Sequence, residues 1–388
     1  MLDPTDLPLH GVRVLDFSQF LAGPVAALRL ADLGADVTKV ERPVTGEIGR
    51  TLAFAGRWSD GDTLSFHAMN RNKRAVVADL KDPGDLALVT ELVCRADVLV
   101  QNFRPGVMAR LGLDHETVRR LNPGLVYVSA TGYGEHGPWA RRPGQDLLAQ
   151  SVSALPWVGG GDRPVTVGLA LADHLMSCHI AQGVTALLVR KARTGRGGLV
   201  ETSLLEAMLD LQVQRLTARL SADAEGLPEP RTAPAGLLRA RDGYVAVAGL
   251  PLAELAARLG LPGACGAGTT DAALVRDDDL APVRAAVETL TADRCVELLS
   301  GGDGGWCVPV LALEQLLEHE AFTALGMTQE VVRPPRPEGG APVRVTTTRS
   351  PIRIDGHRLL SATAAPRLGQ HGHVSDELDG GAPGAPLG

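Results

Sequence analysis

Over roughly its first two hundred residues the chain alternates short, nearly uninterrupted apolar runs with longer helical patterns, and few folds accommodate that alternation. Strands are expected at residues 12–17, 36–41, 75–80, 97–102 and 125–130, and helices near 24–33, 85–95 and 116–121. Runs such as VLVQNF and LVYVSA place apolar side chains on both faces of a strand, as happens when helices cover both sides of a sheet. Strand and helix in strict alternation imply an α/β fold built on a doubly wound, mostly parallel sheet. No GxGxxG follows the first strand, so a nicotinamide or flavin dinucleotide site is not supported.

A long helix is expected from about residue 174 to 193, starting after Asp173 and stopped by the glycine-rich KARTGRGG. VETSLLEAMLDLQVQRLTARL then reads as a strand running into another helix. Glycine, proline and acidic residues mark a linker at 222–236, which separates a large domain (1–221) from a smaller α+β domain (237–328). The segment 329–388, with its strand-like VRVTTTRSPIRI, is expected to return to the large domain.

The 388 residues are 45% apolar and 21% charged, the balance of a globular protein with a sizeable core. Aromatic residues make up only 3%, which argues against base- or sugar-stacking surfaces. A net charge of −7 provides no field for nucleic acid or an anionic membrane, and neither partner is expected. The five cysteines are scattered without metal-ligand spacing, so neither zinc nor a disulfide framework is indicated. Cys178 and His179, adjacent in an apolar stretch, read as a buried structural pair. The first residues do not resemble a signal peptide, and no run of about 18 apolar residues occurs, so a cytoplasmic protein is expected.

Asp173 is the residue most open to a chemical role. It lies between the apolar approach VGLALA and a helix, where an aspartate commonly caps free amides. The same corner suits a nucleophilic carboxylate, held ionised by the positive end of a helix. Spacing does not choose between the two.

Longer phrases bear on that choice. LHGVRVLDFSQFLAGPVAALRLADLGADVTKVERP, NRNKRAVVADLKDP, ADVLVQNFRPGVMARLGLD, LNPGLVYVSATGYGEHGP and TGRGGLVETSLLEAML occur in order. WCVPV and APRLGQHGHVSDEL follow towards the end. Together they resemble the class III CoA-transferases, the group of formyl-CoA and carnitine-CoA transferases. The resemblance is dense over residues 9–215 and thinner from 240 to 330. It implies two Rossmann-like subunits threaded through one another as an interlocked homodimer. It also implies Asp173 as the nucleophile, acyl-CoA and a small carboxylic acid as substrates, and an aspartyl-CoA thioester as the covalent intermediate. Neither metal nor NAD is required.

Carried over position by position, the CoA contacts implied are Gln19, Phe20 and Ala22 in the loop after the first strand, Arg42 in KVERP and Lys81 in ADLKDP. Asn102 and Phe103 in VQNFRP, and Arg110 on the next helix, complete the set. Residues 159–161 offer backbone amides to an oxyanion or form a plain surface turn. Two departures stand out. The phrase RPGQDLLAQ carries Gln145 where the related α-methylacyl-CoA racemases carry histidine, and an amide cannot take up a proton at neutral pH. No counterpart of the glycine-rich loop of formyl-CoA transferase is seen between 225 and 265. A racemase-like acyl-CoA isomerase and a non-catalytic CoA-binding subunit are the alternative readings.

Overall fold

The computed structural model describes residues 3–53, 56–158, 163–221, 236–261, 277–301 and 306–380. The glycines at 159–161 and all of the expected linker except residue 236 lie outside the described residues. The chain divides into two compact units, one formed by residues 1–212 with 326–388 and the other by 213–325. The sequence alone puts these breaks at 221 and 328.

In the first unit the chain runs β1 (Arg13–Asp16), α1 (Ala22–Asp32), β2 (Asp36–Glu41), α2 (Leu64–Asn70), β3 (Lys73–Val77) and α3 (Pro83–Arg95). It continues through β4 (Val98–Gln101), α4 (Val107–Arg110), α5 (His115–Leu121), β5 (Val126–Thr131) and α6 (Asp146–Val152). The long α7 (Leu171–Thr194), β6 (Gly198–Ser203) and α8 (Leu204–Leu211) follow. The strands form one six-stranded sheet in the order β3-β2-β1-β4-β5-β6, every pair parallel. Strand order reverses between β1 and β4, and a sheet of this kind opens its ligand crevice at the carboxyl ends of the strands there.

Alternating side chains feed two separate cores. Val98 and Val100 of β4 pack with Ala26 and Leu30 of α1 and with Ile180 and Val184 of α7. Leu99, between them, faces Val89 and Val93 of α3 on the opposite side. A strand covered on both faces shows this pattern, and it explains the continuous apolar runs of the sequence. α3 starts cleanly because Asp82 accepts the N–H groups of Gly84 and Asp85, with Pro83 in the first turn. α7 ends on Gly195 in the left-handed region, φ 71°.

Two expected boundaries shift. β3 starts at Lys73 rather than 75, because the Lys73 ammonium is buried against β1 and not exposed. α7 starts at Leu171, so Asp173 is the third residue of the helix, and the cap position belongs to Ala170, which has no side chain to cap with. Cys178 is exposed, and His179 reaches out to Asp210 at 3.2 Å, so the expected buried pair is not formed. Both residues lie on the outward side of α7, while Met176, Ile180 and Val184 turn inward.

The second unit contains α9 (Val213–Ser221) and a three-stranded antiparallel sheet of β7 (Gly236–Ala240), β8 (Gly243–Ala248) and β9 (Trp306–Pro309). Its helices are α10 (Leu252–Arg258), α11 (Asp277–Thr289), α12 (Ala292–Leu299), α13 (Leu313–Glu318) and α14 (Glu320–Leu325). Leu238, Val245, Leu255, Val283 and Leu299 form its core.

From Gly326 the chain rejoins the first unit through the hairpin of β10 (Thr328–Arg333) and β11 (Val343–Thr348), ending in α15 (Val374–Gly380). Arg333, fully buried, donates to Asp60 at 2.9 Å and to Asp62 at 3.0 Å and so ties β10 to the short antiparallel hairpin of Trp58–Ser59 with Asp62–Thr63 that precedes α2. Among the described residues no helix is long and apolar enough to cross a membrane.

Candidate active site

The carboxyl end of β1 rests on buried charge. Asp16 accepts the ammonium of Lys73 at 2.9 Å and lies 3.8 Å from that of Lys39, and none of the three side chains is exposed. Burial alone would push the Asp16 carboxyl up, but the two ammonium groups and its hydrogen bonds outweigh it and hold the group down at about 2. Lys39 also donates to the carbonyl of Ser18 at 2.8 Å, and Lys73 to that of Pro24 at 2.8 Å. Both lysines therefore grip the backbone on either side of the loop joining β1 to α1.

Gln19 and Phe20 in the loop are clamped as well. Asn102, just past β4, accepts the Gln19 N–H at 2.9 Å and donates to the Gln19 carbonyl at 2.7 Å. Glu47 accepts the N–H of Phe20 at 3.1 Å. Phe20 sits at φ 66°, a left-handed conformation that a bulky residue adopts only when its surroundings impose it. Gly23 completes the corner: a Cβ there would lie 2.2 Å from the Cβ of Ser18, so only glycine lets α1 start this close to β1.

The loop delivers the first turn of α1 to Asp173. The backbone N–H of Ala22 lies close enough to the Asp173 carboxylate to be the one influence that favours its ionised form. Two others oppose it: burial first, then the negative charge of Asp146, and together they push Asp173 up to about 7. Asp146, in the first turn of α6, accepts the backbone N–H of Asp173 at 3.0 Å and a bond from the Gln150 side chain. Gln150 also donates to the carbonyl of Leu169 at 2.9 Å, which fixes the approach to α7. The chain reaches α6 through a tight crossing in which Gly132 and Gly144 meet backbone to backbone, a Cβ on either lying 2.5 Å from the other's Cα. Gln145 itself is exposed at the α6 cap position and makes no cap bond.

The same loop borders a solvent-open cleft of about 190 Å³, at the carboxyl ends of β1, β2 and β3 and beside the chain after β4. Gln19, Arg42, Lys81 and Phe103 line it, together with Glu41 and Glu47. Arg42 and Lys81 are exposed, so their charges face solvent at the mouth. Of the remaining positions, Ala22 lies at Asp173, and Asn102 supports the loop with its amide. Phe20 is 42% exposed and is not among the cleft-lining residues. Arg110 is exposed on α4 and is not among the cleft-lining residues, although Val107 of that helix is. Among the described residues no group of three or more His, Cys, Asp or Glu side chains is placed to hold a metal ion.

The sequence reading missed Asp146 and Glu47. Asp146 is within reach of the sequence, since it directly follows Gln145 in RPGQDLLAQ. Glu47 had no signal, because its role depends on the folded path of Phe20.

The raised Asp173 group has a consequence for stability. The native state keeps this proton up to about pH 7 while an unfolded carboxyl loses it near 4, so the native state gives up stability as pH rises between those values. Asp173→Asn is therefore expected to raise the melting temperature at pH 8 and to leave it unchanged at pH 4. Equal shifts at both pH values, followed by differential scanning fluorimetry, would count against an Asp173 that is reluctant to ionise.

The model of CoA-transferase family III matches residues 9–372 of the chain. The succinate–glutarate CoA-transferase of Agrobacterium fabrum is 41% identical over 206 residues, 51% of each chain. Human succinyl-CoA:glutarate CoA-transferase is 34% identical over 248 residues, covering 62% of this chain and 56% of that protein. The acetyl-CoA:oxalate CoA-transferase of Acetobacter aceti is 38% identical over 205 residues, 52% of each. The chain thus spans about half the length of these relatives. Among solved structures, Rv3272 from Mycobacterium tuberculosis superposes with a TM-score of 0.79 at 30% identity, covering 94% of this chain and 98% of that one. A CAIB/BAIF family protein from Brucella suis gives 0.78 at 29% identity, covering 96% and 99%. The chain belongs to CoA-transferase family III.

Proposed function

We propose that the protein moves CoA from an acyl-CoA thioester to a free carboxylic acid, with Asp173 as the covalent carrier. One observation carries this reading. The loop whose Gln19 lines the cleft presents Ala22, three residues later, to the Asp173 carboxylate. Three residues reach at most about 10 Å, so a long thioester held in the cleft can bring its carbonyl to Asp173.

The ionised Asp173 attacks the thioester carbonyl, forming a mixed anhydride and releasing CoA thiolate. The thiolate attacks the Asp173 carbonyl, giving aspartyl-CoA and the free donor acid. The acceptor carboxylate attacks aspartyl-CoA and expels the thiolate. That thiolate then attacks the acceptor's carbonyl in the new anhydride, releasing the product thioester and restoring Asp173. Bonds broken and formed are thioester and anhydride throughout, with no net proton and no ATP.

The residues of the site fit these steps. The Ala22 N–H, at the amino end of α1, supports the oxygen that gains charge when the Asp173 carbonyl is attacked. Asp146 pins the backbone of Asp173, and its charge keeps the nucleophile basic enough to attack near neutral pH. Arg42 and Lys81 supply cations for the CoA phosphates, and Phe103 an apolar wall. The relatives named above act, by their names, on succinate, glutarate and oxalate, and a short dicarboxylate is the acceptor class we propose.

We also propose a homodimer. Leu147, Leu148 and Val152 of α6, with Trp157 and Leu169 beyond it, are exposed apolar side chains close in sequence to the Asp146 and Asp173 positions, and a second copy would cover them. Light scattering at micromolar concentration should give twice the monomer mass, and a monomer would refute this.

A second reading rests on the Asp146–Asp173 pair: an isomerase that moves an α-proton between two carboxylates. Deuterium entering the α-carbon of an acyl-CoA without exchange of the acid would select it.

Asp173→Ala should lower exchange by at least about a thousandfold while CoA affinity stays within about twofold. Exchange that survives the substitution would end the carrier assignment. Asp146→Asn keeps the acceptor for the Asp173 N–H and removes the charge. It should move the acid limb of kcat/KM, set by ionisation of Asp173 near 7, to lower pH. An unmoved limb would show that Asp146 does not tune the nucleophile.

A further inference from the structure

The phrase QHGHVSDEL runs along the open edge of β3. The His371 N–H donates to the carbonyl of Ala75 at 3.0 Å, and its ring Nδ1 accepts the Ala75 N–H at 3.0 Å. One residue thereby satisfies both backbone groups of an edge-strand position. Val77 donates to the carbonyl of Gly372 at 3.2 Å, and Val374 is buried in the core that α3 shares. These contacts tie down the segment without help from the His373 side chain.

That side chain turns elsewhere. Its Nδ1 is 3.3 Å from the N–H of Ser375, which it accepts, so the proton is assigned to Nε2, 2.9 Å from the Asp85 Oδ1. The other oxygen of Asp85 accepts the N–H of Asp79 at 2.7 Å, and Asp79 Oδ1 accepts the N–H of Lys81 at 3.0 Å. Asp79, Leu80 and Lys81 form one wall of the cleft. The family match ends at residue 372, so His373 lies one residue beyond it.

We infer that His373 is a positioning residue for CoA, acting through Asp85 and Asp79 to hold the turn that carries Lys81 at the cleft wall. This rests on the reading that the cleft takes the nucleotide end of CoA. The His373 side chain is 39% exposed and that of Asp85 17%, so a moderate effect is expected.

The experiment is calorimetric titration of the full chain with CoA, paired with steady-state kinetics, for Lys81→Ala, His373→Ala, His373→Gln and the Lys81→Ala/His373→Ala double variant. His373→Ala is expected to weaken CoA by roughly three- to tenfold, an effect of the size such bonds carry, and to raise KM for acyl-CoA alike with kcat within about twofold. KM for the acceptor acid should not change. His373→Gln, whose amide can still donate to Asp85, should recover most of the affinity. The double variant should bind no more weakly than Lys81→Ala alone, because both act through one turn. Asp85→Asn keeps an acceptor for Asp79 and loses the attraction for His373, and should reproduce the His373→Ala result. If Lys81→Ala weakens CoA while His373→Ala does not, or if the two losses add, the inference fails and the cleft assignment stands. If Lys81→Ala leaves CoA affinity unchanged, the cleft assignment falls and His373 loses its role with it.

Discussion

The geometry of this site depends on three charges that never meet water: Asp16 at the end of β1, Lys39 in β2 and Lys73 at the start of β3. Removing one partner from such a cluster leaves an uncompensated buried charge and costs about 3–5 kcal/mol. The cluster also has direction. Its lysines reach the carbonyls of Ser18 and Pro24, so the charge that joins three strands also fixes both ends of the loop between them. With both ends fixed and Asn102 and Glu47 holding the middle, Phe20 can keep a backbone conformation it would not choose.

The strained loop borders the cleft and leads to the Asp173 carboxylate. Towards β2 and β3 it completes a cleft with cations at its mouth; towards α7 it offers the Ala22 amide to Asp173. The carboxylate there is subject to opposed influences. Burial and Asp146 disfavour its charge, while the amide at the start of α1 favours it, and the balance near 7 leaves a carboxylate both available and basic. A fully solvated aspartate would ionise more readily and attack less well, and one buried without the amide would stay protonated.

Most of the fold was legible because its sheet is covered on both sides, which turns strands into apolar runs that stand out from the helices around them. The errors fall where tertiary contacts override local character. NRNKR is charged, and nothing local reveals that Lys73 is sheltered by an aspartate more than fifty residues earlier, so the sequence suggests a strand only from residue 75. Asp173 looks like a helix cap because aspartates at helix starts usually are. It lies inside the first turn because Asp146, on another helix, takes its N–H. Family phrases pointed to Asp173, Gln19, Ala22 and Arg42 without distinguishing those that line the cleft from those that support the loop. That division appears only once the loop has a path.

CoA transfer as proposed requires covalent passage through Asp173. Mass spectrometry of the peptide carrying it, after incubation with acyl-CoA and hydroxylamine, tests that passage directly. The predicted result is conversion of Asp173 to its hydroxamate only when acyl-CoA is present. Steady turnover with Asp173 unmodified would contradict it.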